Sequence, residues 1–150
     1  MQDCLICERL KSWKEGKNVS VIHEFKHSVF VVGDYQMDFY KGYSLILLKD
    51  HVRELHDLSE KIQQELFLEV MRAGKIINDC FKPWKMNYTC LGNKDQHIHW
   101  HIIPRYQIDP HHQSLPWTGI DFSQEERVSN DQAKKISSQI SSCFINNFSQ

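Results

Sequence analysis

The sequence predicts an α+β domain: an antiparallel sheet of about five strands, one long helix, and a second helix at the C-terminus. Three observations carry this. Five short runs, residues 19–25, 28–32, 43–48, 86–91 and 98–103, are apolar or alternate between apolar and polar, as strands do. Between the third and fourth, Ile62, Leu66, Val70, Ala73, Ile77 and Cys80 recur at steps of three and four, the spacing of one buried helix face. The polar stretch Gly92-Asn93-Lys94-Asp95-Gln96 separates the last two runs, which fits an antiparallel hairpin.

In chain order, residues 3–14 read as a short helix or turn carrying Cys4 and Cys7 and ending near Gly16. Val19–Phe25 and Ser28–Val32 are strands with a turn near Lys26-His27, and Tyr43–Leu48 is a third strand behind Gly42. Asp57 with Glu60 approximates a capping box for the long helix, and Pro83 closes it, because proline cannot continue the ladder. Met86–Leu91 and Ile98–Ile103 make the hairpin. After Pro110 the pattern loosens until Ser129 with Gln132, where Ala133, Ile136, Ile140 and Phe144 suggest a terminal helix. The expected organisation is a domain over residues 1–117 and a partly helical extension over 118–150.

A chain of 150 residues is long enough to bury one real core. The formal charge of −1 gives no broad basic surface for nucleic acid or an anionic membrane, so any phosphate site must come from local geometry. No apolar run approaches the ~20 residues that span a bilayer. Met1-Gln2-Asp3-Cys4 lacks the basic and apolar regions of a secretory signal, so a cytoplasmic location is expected. Five cysteines, at 4, 7, 80, 90 and 143, fit reduced thiols better than a disulfide framework.

The densest chemistry lies in His97-Ile98-His99-Trp100-His101-Ile102-Ile103. On a strand, alternate side chains share a face, so the imidazoles line one side and the apolar residues fill the core behind. A single metal shared by all three is disfavoured. His97 and His101 stand roughly 13 Å apart along a strand, whereas zinc–nitrogen bonds are only about 2.0–2.1 Å. Attack by an imidazole on phosphorus fits better, with neighbouring imidazoles donating to the phosphate oxygens. The central residue, His99, has a partner on each side and is the natural nucleophile. Cys4-x-x-Cys7 alone leaves a redox pair, half a zinc site or two buried thiols open.

The run from His97 to Ile103, preceded by Asn87-Tyr88-Thr89-Cys90-Leu91-Gly92-Asn93 and followed by Pro104-Arg105-Tyr106, resembles the histidine triad (HIT) family of nucleotide hydrolases and transferases. Leu47-Leu48-Lys49-Asp50-His51 and Phe30-Val31-Val32-Gly33-Asp34 are similar to its strand-to-helix junction and second strand. The Leu-Gly-Asn and His-Trp-His combination is most similar to bacterial members described as dinucleoside polyphosphate hydrolase-like. The resemblance implies a HIT-like fold in a homodimer and attack by His99 on an α-phosphate, giving a nucleotidyl-histidine that water or another acceptor resolves. It implies phosphate contacts from His101, Asn87 and Asn93, and ribose hydroxyls on Asp34. Some members complete a structural Cys₂His₂ zinc site, and the matching residues are Cys4, Cys7, His51 and His97. No organic cofactor is implied. His23, His27, His56, His111 and His112 show no such spacing and are expected at the surface; Trp117 is open between stacking on a base and packing.

Two other functions compete. A non-catalytic module would bind a nucleotide or scaffold a partner with the same residues. A small zinc-bound nucleic-acid module built on Cys4 and Cys7 is opposed by the net charge.

Overall fold

The structure, a computed structural model, describes residues 4–148. In order it contains α1 (Leu5–Lys14), β1 (Val21–Glu24), β2 (Ser28–Val32), β3 (Ser44–Leu48), α2 (Glu60–Phe81), β4 (Lys85–Thr89), β5 (His99–Arg105) and α3 (Asn130–Phe148). The expected start of the first helix at residue 3 lies outside the described residues. The strands form one five-stranded antiparallel sheet, as the sequence predicts, and their order is β1-β2-β3-β5-β4. β2 matches its expected run, and β1 and β3 are shorter than theirs. β4 begins one residue earlier and ends two earlier, β5 runs on through Pro104-Arg105, and the final hairpin is joined by residues 90–98 rather than 92–96.

Strand alternation divides the core in two. Phe30, Val32, Ile46, Leu48, Ile98 and Ile102 face Leu66, Val70, Ala73 and Ile77 of α2 and Ile140 of α3. Val29, Val31, Leu45, Leu47 and Ile103 face the other way, against Ile6 and Leu10 of α1 and Tyr40 in a 3₁₀ turn over Asp38–Tyr40. β3 is buried along its whole length. A strand covered on both faces needs an unbroken apolar run, and Leu45-Ile46-Leu47-Leu48 supplies one.

Helix ends follow local chemistry, with one departure. α2 is capped by Ser59, whose Oγ accepts from the Ile62 N–H at 3.4 Å, and not by Asp57, which sits in the 3₁₀ turn Leu55–Asp57. Serine directly before the first helical residue is the better geometric cap. At the far end Lys82 takes a left-handed conformation ahead of Pro83. α3 begins with the expected reciprocal box: the Gln132 N–H donates to Ser129 Oγ at 3.3 Å, and the Ser129 N–H donates to Gln132 Oε1 at 2.9 Å.

Two expectations are corrected. Cys80 and Cys143 are joined by a disulfide between α2 and α3, with Cα atoms 5.8 Å apart; Cys4, Cys7 and Cys90 are free thiols. The helices cross there, which an odd count and a separation of 63 residues do not reveal. His23 and His27 are half-buried and bound to neighbours, not free surface residues. His23 is stacked on Phe144 at 4.1 Å, and His27 Nε2 meets Glu65 at 2.5 Å.

Since Ile140 of α3 is wholly buried in the same cluster as α2 and the sheet, α3 belongs to the core energetically. Ile140→Ala is expected to cost about 2–5 kcal/mol of stability, read from the urea unfolding midpoint. A loss below about 0.5 kcal/mol would mean the helix is only loosely attached.

Candidate functional site

β5 lies between β3 and β4, with His99 opposite Leu47 and His101 opposite both Leu45 and Thr89. Cross-strand partners share a face, so His99 and His101 point to the side covered by α1. Their ring centres are 5.0 Å apart, and His99 is 8% exposed. His97 precedes the strand. The chain is still being delivered to the sheet there, with the Ile98 N–H bonded to the Val52 carbonyl at 2.9 Å. The three histidines therefore do not make one equivalent row.

Hydrogen bonds set the state of the first two rings. His97 Nε2 lies 2.8 Å from the Leu48 carbonyl, and His99 Nδ1 lies 2.7 Å from the His97 carbonyl. A carbonyl oxygen only accepts, so both nitrogens carry protons. This leaves the lone pair on His97 Nδ1 and on His99 Nε2. His101 Nδ1 is 2.6 Å from the Tyr43 hydroxyl, and its ring packs edgewise on Trp117 at 5.1 Å. Burial, helped by the nearby His99 ring, pushes His101 down to about 4.

The free Nδ1 of His97 faces Cys4, Cys7 and His51. It lies 3.5 Å from each cysteine Sγ and 3.2 Å from His51 Nδ1, which is 3.3 Å from Cys7 Sγ. All four donor atoms fall within 4.8 Å of one another. A tetrahedral ion with ordinary zinc bond lengths would place N–N edges at about 3.4 Å and N–S edges at about 3.6 Å. The cluster fits such an ion, and the Leu48 carbonyl supplies the outer hydrogen bond that orients a ligating imidazole. Burial and the adjacent Cys4 push the Cys7 thiol up to about 11, the reverse of what a cation among these sulfurs would do. Asp95 ties the triad loop to the cysteine helix by accepting from the Leu5 N–H at 3.0 Å.

Of the other expected residues, Asn87 and Asp34 are engaged with protein. Asn87 shares the histidine face, and its Oδ1 accepts from Arg105 at 3.1 Å. Asn93 is exposed in the loop before the triad. The Asp34 carboxylate is bonded to Arg9 and lies 3.4 Å from Arg127, while its backbone carbonyl accepts from the Val128 N–H at 2.7 Å. Two parts of the site were missed in the sequence. One is Tyr43, expected only as the first residue of a strand. The other is Arg105, 1% exposed, whose guanidinium bonds Asp109 at 2.7 Å and the carbonyls of His111 and Ser114 at 2.7 and 3.0 Å. That clip folds the post-triad segment back and brings Trp117 onto His101. Pro104-Arg105 directly after the triad was the only local sign of it.

Comparison with known proteins adds to this geometry. A family model described as HIT domain matches residues 15–108, which contain the triad and His51 but not Cys4 or Cys7. The chain is 31% identical over 72 residues to Protein hit of Bacillus subtilis, covering 44% of this chain and 49% of that protein. It is 27% identical over 93 residues to the adenosine 5'-monophosphoramidase hnt1 of Schizosaccharomyces pombe, covering 57% and 65%. The chain thus spans less than two-thirds of the length of either relative. Among solved structures, a hypothetical histidine triad nucleotide-binding protein from Sulfolobus tokodaii superposes with a TM-score of 0.71 at 18% identity, over 93% of each chain. A histidine triad protein from Bradyrhizobium japonicum gives 0.69 at 23% identity, over 83% of this chain and 89% of that one. These two are likenesses of fold.

The neutral state of His101 makes a pH prediction. Its folded value of about 4 lies below the unfolded value of about 6.5. Between those limits the unfolded chain binds more protons, so this ring's contribution is intact above about 6.5 and is lost as pH falls toward 4. Glu65, held down to about 2 by Lys26 and His27, acts only in a lower window. Urea midpoints at pH 7 and pH 4.5 are expected to drop more for the natural protein than for His101→Asn.

Proposed function

The chain belongs to the HIT domain family, and from that premise and the site geometry we propose that it is a nucleotide hydrolase or transferase acting at an α-phosphate. One observation carries the reading: His99 donates its Nδ1 proton to the His97 carbonyl at 2.7 Å, which leaves Nε2 as a neutral nucleophile fixed on a strand. The substrate class is a dinucleoside polyphosphate or another nucleotide conjugate. The relative described as an adenosine 5'-monophosphoramidase extends that class to phosphorus–nitrogen bonds.

His99 Nε2 gives its lone pair to the α-phosphorus, a phosphorus–nitrogen bond forms, and the bond to the leaving group breaks with its electron pair. The ring, now carrying the nucleotide on Nε2 and a proton on Nδ1, holds developing positive charge against the His97 carbonyl. His101 contacts the phosphate oxygens, and Asn87 and Asn93 complete the phosphate site once Asn87 exchanges Arg105 for substrate. Asp34 receives ribose hydroxyls in exchange for its bond to Arg127. Water then attacks phosphorus, the phosphorus–nitrogen bond breaks, and the nucleoside monophosphate leaves. Splitting one displacement into two is the gain that a covalent intermediate offers. His99→Ala is expected to lower kcat at least about 10³-fold with the fold retained, by analogy with other nucleophile deletions. Acid-quenched natural enzyme should lose a labelled nucleotide adduct on warming at low pH. Turnover by the variant near the natural rate would overturn the mechanism. Calorimetric binding without product across a panel of conjugates would favour the non-catalytic module.

The metal at Cys4, Cys7, His51 and His97 is read as structural zinc. Four protein ligands close the shell, so the ion would pin α1 to the triad loop and leave no position for water. The free thiols Cys4, Cys7 and Cys90 support a cytoplasmic location, and the Cys80–Cys143 disulfide speaks against it. Among the described residues no helix is long and apolar enough to cross a membrane. A homodimer is supported by large apolar side chains exposed together on α2, Phe67 and Leu68, and beside edge strand β4, Trp84 and Leu91. Native mass spectrometry reads both features at once. The expected species is two chains with one zinc each, the zinc lost in Cys4→Ser. A metal-free natural protein would refute the zinc, and a monomer at micromolar concentration would refute the dimer.

A further inference from the structure

One buried polar side chain on the histidine face has no part in the steps above. Tyr43 stands just before β3, is 7% exposed, and packs among Leu45, Leu47 and Ile103. Its hydroxyl lies 2.6 Å from His101 Nδ1, and the two rings are nearly parallel, at an interplanar angle of 4°. A buried phenol keeps its proton and must give it to an acceptor or lose a hydrogen bond's worth of stability. Among the described residues, His101 Nδ1 is the one recorded acceptor within reach of that hydroxyl.

The ring is held there from several sides. The Gly33 N–H and the Gln36 side-chain amide both donate to the Tyr43 carbonyl, at 2.9 and 2.6 Å. Gly33 does not have a positive φ, so its backbone does not need glycine. Space explains it: a Cβ at residue 33 would stand 2.5 Å from Tyr43 Cδ1. The chain has left out a side chain at the end of β2 so that the tyrosine lies flat against it. Trp117 closes the far edge of His101.

We propose that Tyr43 is a positioning residue: its hydroxyl donates to His101 Nδ1 and fixes the His101 proton on Nε2. This rests on the reading of His99 as nucleophile and His101 as the phosphate contact. The exposed edges of the two rings then differ by design of their partners. His99 presents a lone pair to phosphorus, and 5.0 Å away His101 presents an N–H to a non-bridging oxygen. The opposite tautomer would aim a second lone pair at an anionic phosphate. Tyr43 makes and breaks no bond in the reaction.

The test compares natural protein, Tyr43→Phe and Gly33→Ala by ¹⁵N NMR of the histidine rings together with steady-state kinetics. In the natural protein, His101 is expected as a single Nε2–H tautomer with a hydrogen-bonded Nδ1. Tyr43→Phe keeps the ring and the packing but should remove that hydrogen-bond shift and populate the second tautomer. Its kcat should fall about tenfold with KM within about twofold, the pattern of an interaction felt mainly in the transition state. Gly33→Ala should do the same with the tyrosine chemically intact, by displacing its ring. In a His101→Ala background, Tyr43→Phe should have no further effect on kcat, because Tyr43 acts only through His101. A natural His101 protonated on Nδ1 would overturn the proposal. So would an unchanged ring spectrum in Tyr43→Phe, or an equal kcat loss with and without His101. If His99→Ala retained activity, the nucleophile assignment would fall, while the ring spectra would still decide the Tyr43–His101 tautomer.

Discussion

Everything in the site depends on where each imidazole keeps its proton. Two main-chain oxygens, of Leu48 and His97, take the Nε2 proton of His97 and the Nδ1 proton of His99. Neighbouring residues of one chemical type thereby become opposites: one turns the lone pair of Nδ1 to the cysteine cluster, the other keeps its lone pair on Nε2. The arrangement needs no charged partner, because both acceptors are main-chain carbonyls. Leu48 ends the buried strand β3 and His97 stands two residues before His99, the first residue of β5, so the sheet fixes where both oxygens stand.

The post-triad segment is the second constraint. Arg105 is buried at the end of β5 with Asp109, and Asn87 and the carbonyls of His111 and Ser114 also accept from its two terminal nitrogens, while its Nε meets no partner among the described residues. A buried cation left without its partners is costly, so the segment from Asp109 to Ser114 has little freedom to unfold locally. Trp117 is carried with it, in a left-handed conformation, its N–H bonded to Tyr40 Oη at 2.7 Å. The wall over His101 is thus set by a residue that never approaches it.

The fold was largely legible because its strands and helices announce themselves by period. Ile62 to Ile77 mark one helix face, and the alternation from Ile98 to Ile102 gives the core side of β5. The box Ser129–Gln132 was readable as local chemistry, whereas Ser59 was passed over for Asp57 because both precede the same helix closely. His99, and the group Cys4, Cys7, His51 and His97, came from motif and resemblance, and geometry brings the four together. What stayed hidden depends on pairs far apart in the chain. Tyr43 with His101, Arg9 with Asp34, and Cys80 with Cys143 leave no periodic trace. A strand-start tyrosine looks the same whether its hydroxyl meets solvent or a histidine.

His97 serves two masters with two different parts of itself. Its side chain belongs to the cysteine cluster; its main-chain oxygen belongs to His99. The side chain is encoded and the oxygen is not, since every amino acid brings the same carbonyl. A substitution at residue 97 therefore takes the imidazole out of the cluster of Cys4, Cys7 and His51, while the proton on His99 keeps its acceptor as long as the backbone holds its course.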